Sequence, residues 1–257
     1  MTSPMTRTFA TLALAGATIL TPVLPAVAGQ PAAAATPVEQ QLHRTDDRAA
    51  TPARATSRAC RARLVNPRRA VKAKRFARCV VKGMQAGRTA RVRTQPSGEG
   101  PSKAQMRFGR GTDVSVVMAD GSRFVAIGSK AWHRAAGGRW VRARAHGTPE
   151  EVLAEGIRQL FLGLSSAQAY RTYLSASTTP WKWTGKERRI NGVRAREYRG
   201  TPVVGGYSYT RYRVWLDTAD RPIRVDTAMT MYGQRSTWRQ DFSRWGAKVK
   251  IVAPTLG

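Results

Sequence analysis

Apolar residues recur with a period of two along much of the chain after residue 88. Val114, Val116 and Met118 alternate with polar neighbours such as Asp113 and Ser115. The same alternation returns near the end of the chain, in Ile223, Val225, Met229 and Met231. Alternation of this kind is typical of strands with one buried face, and the Asp-Gly and Asn-Gly pairs at 120–121 and 191–192 are hairpin signals. We therefore predict a meander of short antiparallel strands from residue 88 onward.

A helical period of three to four appears first after Asn66-Pro67, a pair that suits the start of a helix. One side of this segment is apolar and carries Ala73, Phe76, Ala77, Val80 and Met84. The other side is basic and carries Arg68, Lys72, Arg75, Arg78 and Lys82. Two interpretations stay open: a helix that docks on a core with its basic face in solvent, or an amphipathic helix that lies on an anionic membrane or polymer.

A second helical stretch interrupts the strands. Thr148-Pro149 suits an N-cap followed by the first helical position, and the carboxylates of Glu150 and Glu151 suit the positive end of a helix dipole. A further helix is expected over residues 166–174. Strands on both sides of these central helices predict an α+β fold with a large antiparallel sheet.

The first 28 residues have the pattern of a secretory signal peptide. Arg7 precedes an apolar, uncharged stretch, and Ala26-Val27-Ala28 gives the small-x-small sequence of a cleavage site. A retained membrane anchor is the alternative. Residues 29–57 are rich in Pro and Ala without periodicity, which predicts a disordered linker before a folded domain over 58–257. Because no cysteine directly follows the apolar stretch, we expect an exported protein that is not lipidated.

The net charge of the chain indicates which kind of partner to expect. The chain has 44 Lys and Arg against 15 Asp and Glu, a formal net charge of +29. Its 42% hydrophobic residues are enough for a packed core, so a wholly disordered protein is excluded. No helix-turn-helix, zinc-finger or RNA-binding signature accompanies the charge, so we expect no specific nucleic-acid partner. We expect a secreted, envelope-associated protein whose basic surface meets anionic membrane or cell-wall polymer.

Residues that suggest catalysis are sparse. Ser165-Ser166 lacks the second glycine of a nucleophile elbow, and Glu150 and Glu151 are adjacent, so their carboxylates point apart on a helix. Two cysteines and three histidines are too few for an all-cysteine or histidine-rich metal centre. We expect neither an enzyme nor a bound metal or cofactor.

The two cysteines, Cys60 and Cys79, permit a single intramolecular pairing. In an exported protein such a pair favours a disulfide. Two free structural thiols are the alternative.

Four short sequences, in order along the chain, carry a family resemblance. They are GSKAW at 128–132 followed by GRW at 138–140, INGV at 190–193 followed by Tyr198, VWLD at 214–217 followed by RPIR at 221–224, and FSRWG at 242–246 followed by VKIVAP at 249–254. Together they resemble the LppX/LprG-type lipoproteins and their secreted relatives, which have a LolA-like architecture, over about residues 70–254. The resemblance implies a curved, half-barrel antiparallel sheet wrapped around a few helices, with a hollow that holds acyl chains of lipids or lipoproteins.

An acyl cavity needs an apolar lining with few buried charges. On the predicted sheet the candidates are Val114, Val116, Met118, Phe124, Val225, Met229 and Met231. On the facing helix they are Leu153, Ile157, Leu160 and Phe161. The same residues would fill an ordinary core equally well. Two functions therefore stay open: a binding protein for a lipid or acylated molecule, and a secreted structural or interaction domain with a filled core that binds anionic wall polymers or a protein partner.

Overall fold

The computed structural model describes Cys60 and residues 70–256, except residues 110, 206 and 232. The predicted signal peptide, the linker, the helix start at Asn66-Pro67 and the basic residue Arg68 lie outside the described residues.

Three helices are present in the described part of the chain. They are α1 (Ala73–Gly87), α2 (Pro149–Ser165) and α3 (Ala167–Ser175). The predicted opening of α2 is confirmed, because the Thr148 hydroxyl accepts a hydrogen bond from the backbone N–H of Glu151 and the Glu151 carboxylate accepts one from Thr148. Among the residues described, none of these helices combines the length and the apolar composition that crossing a bilayer demands.

Among the residues described, twelve strands make up one sheet. They are β1 (Thr89–Pro96), β2 (Ser102–Phe108), β3 (Thr112–Val117), β4 (Arg123–Ile127), β5 (Lys130–Arg134), β6 (Val141–Arg142), β7 (Lys182–Ile190), β8 (Val193–Gly200), β9 (Val203–Val204), β10 (Tyr207–Leu216), β11 (Pro222–Met231) and β12 (Gln234–Ser243). Asn191 and Gly192 connect β7 to β8 with positive φ angles of 50° and 77°, as an Asn-Gly hairpin turn requires.

The sheet is antiparallel and open. Its strand order is β6-β5-β4-β3-β2-β1-β12-β11-β10-β8-β7, and β9 pairs with β10. The first and last strands pair in the middle, with Val92 opposite Phe242, so two meanders join there and the connection between them carries α2 and α3. The described strands thus leave β6 and β7 as the edges. This arrangement confirms the predicted α+β fold with a large, open antiparallel sheet around a few helices.

Helix α1 packs against α3 and the sheet with its predicted apolar face. Phe76, Ala77, Val80 and Met84 are fully buried. The Phe76 ring stacks on Trp181, with ring centroids 4.5 Å apart, and meets Tyr198 of β8 at 5.3 Å. This aromatic cluster closes the space between α1 and the β8–β10 part of the sheet.

The predicted disulfide is also confirmed. Cys60 is bonded to Cys79, and their Cα atoms are 5.6 Å apart. Both residues are buried. The bond therefore ties the chain before α1 to the middle of that helix.

Candidate functional site

Four of the residues predicted to line a cavity lie in one packed core. Val114 and Val116 of β3, Phe124 of β4 and Val225 of β11 are between 0% and 3% exposed and belong to one contiguous cluster of buried side chains. Side chains this deeply buried pack against protein atoms. At these positions the structure matches the alternative of an ordinary core.

The other candidates lie at the margin of this core. Met118, Ile157 and Phe161 are partly buried and pack against it. The Phe161 ring stacks on Phe124 with centroids 5.2 Å apart. Met229 of β11 is half-buried, and the side chain of Met231 lies outside the described structure.

Leu153 and Leu160 are the most exposed of the predicted lining residues whose side chains the structure describes. Their exposed fractions are 60% and 44%. Helix α2 faces the sheet through Ala154, its one fully buried residue, and through Phe161. Because successive helical residues are rotated by about 100°, Leu153 and Leu160 point about 100° and 120° away from Ala154.

The exposed leucines belong to a continuous apolar strip, the α2 flank. Its members are Leu153, Ile157, Leu160 and Leu164, at spacings of four, three and four residues. Such spacings put all four on one side of a helix. Ile157 and Leu164 are half-buried, so the flank runs between the core margin and solvent. It extends for about 16 Å along the helix at 1.5 Å per residue.

Ionised side chains lie on the side of α2 opposite the flank. Arg158 donates two hydrogen bonds to Glu155, at 2.7 and 2.6 Å. These hydrogen bonds lower the pKa of the Glu155 carboxyl. Near the first turn, Arg144 pairs with Glu151 at 3.3 Å. The flank therefore lies on the side of α2 away from these paired ionised residues.

Tyrosines cluster where α3 meets the sheet. The Tyr170 hydroxyl donates to the Gln240 side-chain oxygen at 2.5 Å, and Tyr173 contacts Tyr209 edge to face, with ring centroids 6.2 Å apart. Burial raises the pKa of Tyr170, Tyr209 and Tyr212. These phenols therefore keep their protons near neutral pH.

The predicted anionic-surface residues of α1 are exposed. Lys72, the N-cap of α1, is exposed to solvent, and so are Arg75 and Lys82 within the helix. In the described part of the chain none of the three forms an ion pair. Their exposure agrees with both interpretations of this helix.

Sequence reasoning missed a basic hollow of about 960 Å³ on the sheet. Its cationic lining comes from four strands, in Lys182, Arg199, Arg211, Arg213 and Arg235. A sequence signal was present only as isolated basic residues in β7, β8, β10 and β12, because strand pairing decides which of them meet.

Comparisons with known proteins match this chain to solved structures. No family model and no curated protein matches the sequence. The structure is similar to that of the lipoprotein LppX of Mycobacterium tuberculosis, at 12% identity over 70% of this chain and 98% of that chain, with a TM-score of 0.48. It is also similar to LprF of Mycobacterium bovis, at 14% identity over 72% of this chain and 97% of that chain, with a TM-score of 0.46.

A LolA superfamily protein of Nitrosomonas europaea is similar at 10% identity over 68% of this chain and 92% of that chain, with a TM-score of 0.26. LppX and the LolA superfamily are also the names attached to the family that the four sequence motifs resemble. At these identities the likeness concerns the fold alone.

Proposed function

We propose that this chain is an exported binding protein that holds the acyl chain of a lipid or lipoprotein along the α2 flank. The observation that carries the proposal is the half-exposed apolar strip beside the Phe124–Phe161 stack. A contiguous apolar patch of this kind on a soluble protein marks a place that something covers.

The shape and surroundings of the flank favour an acyl chain as that cover. Leu153, Ile157, Leu160 and Leu164 form a straight, narrow strip, which suits a linear hydrocarbon chain. Covering the strip removes apolar surface from water, and each Å² so buried contributes about 25 cal/mol of favourable free energy. A net charge of +29 attracts an amphiphile with an anionic head group. The basic surface, including the exposed face of α1, would keep such a protein at anionic envelope material.

The packed core under α1 supports an acyl site beside α2, at the surface of the core. Val114, Phe124 and Val225 are buried among other side chains. Phe161 and Met118 are only partly buried where they pack against this core. We infer that an acyl chain lies beside them, with one side against the flank.

Two measurements test the proposal. Native mass spectrometry of protein purified from its host is expected to show a co-purified lipid, and a fluorescent fatty acid is expected to bind. The double variant Leu153→Ser with Leu160→Ser should bind the fatty acid about tenfold more weakly, because two apolar contacts are lost. Val152→Ser with Val203→Ser is the matched control, since these two valines are 45% and 36% exposed and lie off the flank.

The control variant is expected to bind as the natural protein does. A protein that carries no lipid and ignores the fatty acid would overturn the proposal. Equal weakening in both double variants would show that the flank has no special role.

The second candidate function is a secreted interaction domain with a filled interior, and the burial of Val114, Val116, Phe124 and Val225 favours it. Such a domain would bind anionic wall polymers or a protein partner through its surface. It predicts that the fatty acid does not bind, so the experiment above separates the two functions.

A further inference from the structure

The basic hollow lies on the face of the sheet that α1 and α3 do not cover. Tyr212 contacts Trp181, and Tyr198 contacts Phe76, so both tyrosines point toward α1. Because side chains alternate between the two faces of a strand, Arg213 and Arg199 point the other way. We call this hollow the cationic groove, and it is lined by Lys182, Arg199, Arg211, Arg213 and Arg235 together with threonines such as Thr184, Thr210 and Thr230.

Strand register places three of these cations in one row. Lys182 of β7 is directly opposite Arg199 of β8, and Arg199 is directly opposite Arg213 of β10. Opposing residues on adjacent strands lie about 5 Å apart, and like charges in such positions destabilise a sheet. The row therefore costs stability in the free protein, and an anion that binds across it would relieve that repulsion.

The available carboxylate offsets only part of this charge. Glu197 is 1% exposed and accepts a hydrogen bond from Arg199 at 2.8 Å, while its other oxygen is 3.9 Å from Arg213. Among the described residues no ion pair involves Lys182, Arg211 or Arg235. The lining thus carries five positive charges and no carboxylate of its own. The neighbouring Glu197, and Asp226 directly opposite Arg213 on β11, offset part of that charge.

Some hydrogen-bond donors in the groove also lack an acceptor among the described residues. The buried Nε atoms of Arg211 and Arg213 have no hydrogen-bond partner among the described residues. A buried donor without a partner costs about 1–3 kcal/mol. Guanidinium groups bind phosphate through parallel N–H donors, and threonine hydroxyls both donate and accept hydrogen bonds.

We propose that the cationic groove is a binding site for a phosphodiester-linked polymer that carries free hydroxyl groups, such as a sugar phosphate or polyol phosphate chain. The cations bind its phosphates and the threonines bind its hydroxyls. Lys182, Arg199 and Arg235 are exposed, so the groove is open at its surface, which suits a segment of a long chain. The site shares an anionic partner with the proposed function and does not depend on acyl binding at α2.

The test compares two variants that each remove three positive charges. The groove variant carries Lys182→Gln, Arg211→Gln and Arg235→Gln, and it keeps Arg199 and Arg213, which neutralise buried Glu197. The helix variant carries Lys72→Gln, Arg75→Gln and Lys82→Gln. Binding of a glycerol phosphate oligomer is measured by calorimetry at low and at moderate salt, and thermal unfolding checks the fold of each protein.

The groove variant is expected to bind the oligomer about tenfold more weakly, and its binding should depend less on salt. The helix variant should bind it nearly as the natural protein does. A charge-retaining variant with Lys182→Arg, Arg211→Lys and Arg235→Lys should keep binding.

Three results would overturn the proposal. The groove variant could bind as tightly as the natural protein, or both variants could weaken equally, which would mean that net charge alone attracts the polymer. A DNA oligonucleotide of equal charge that binds more tightly than the oligomer would assign the groove to nucleic acid. Loss of fatty acid binding with polymer binding intact would refute only the acyl proposal.

Discussion

Gly83 shows how closely α1 approaches the rest of the protein. A Cβ atom at this position would lie 2.6 Å from the backbone oxygen of Asp220, in the turn between β10 and β11. Backbone atoms cannot move aside as the end of a flexible side chain does. Gly83 is therefore required by the contact between the helix and the turn, even though glycine weakens a helix interior.

We predict that Gly83→Ala lowers the free energy of unfolding by about 1–3 kcal/mol, the usual cost of overpacking. Gly156→Ala is the matched control, because Gly156 is also inside a helix and a Cβ atom there meets nothing within 4 Å. That control should raise stability by about 0.5–1 kcal/mol. Denaturant unfolding measures both values, and a stabilising Gly83→Ala would show that the close approach does not hold in solution.

At the scale of single elements, α1 combines a buried face with a basic face, and only the buried one has a structural role. Its apolar residues reach the core, while Lys72, Arg75 and Lys82 remain in solvent. A solvated basic face is able to lie on an anionic surface without unfolding or moving the helix.

We predict that Lys72→Gln, Arg75→Gln and Lys82→Gln together weaken sedimentation with anionic liposomes at low salt, since each surface lysine or arginine contributes about 1 kcal/mol at such a membrane. The loss should shrink as salt is added. The groove variant serves as the comparison with equal net charge. If the α1 variant sediments as the natural protein does, the basic face does not contact membranes.

The two helices differ in how far their sequences determine their orientation. In α1 the apolar residues occupy one side, so period alone identified Phe76, Ala77, Val80 and Met84 as buried. In α2 apolar residues occur nearly all round the helix, as Val152, Leu153, Ile157, Phe161 and Leu162 show. Periodicity then favours no single face, and the position of the sheet decides that Leu153 and Leu160 stay exposed.

The groove marks a second limit of sequence reasoning. Alternation predicted the strands and their inward faces, and the single pair of cysteines predicted the disulfide. Lys182, Arg199 and Arg213 lie on three different strands, and they meet because the registers of two strand pairs align them. No local pattern contains that information.

At the scale of the whole molecule, the buried tyrosines make the stability of the fold depend on pH in the alkaline range. Burial raises the pKa of Tyr170, Tyr198, Tyr209 and Tyr212 above the ordinary value of 10.0. Below that pH the folded and unfolded chains both keep these protons, so the stabilisation is fully present. Above it the unfolded chain alone loses protons, and stability falls as pH rises toward the folded pKa values.

We therefore predict that the denaturant midpoint decreases as pH rises above about 10. Phenolate absorbance from the buried tyrosines should appear together with unfolding. Tyr212→Phe should make the decrease less steep, because phenylalanine has no proton that the unfolded chain can lose at high pH. Full phenolate absorbance while near-ultraviolet circular dichroism is still native would contradict this prediction.

The edge strand β7 has a consequence for how copies of this protein behave together. Unpaired backbone groups on an edge strand invite a strand from another molecule, and charged side chains and irregular backbone discourage it. This strand carries Lys186, Arg188 and Arg189, and its pairing with β8 shifts register near Gly185, where φ is 79°. If two molecules approached with their β7 edges together, the basic side chains would repel each other and the irregular backbone would prevent regular strand pairing. We therefore expect this edge to resist strand pairing between copies, even where many of them would gather along one polyanion.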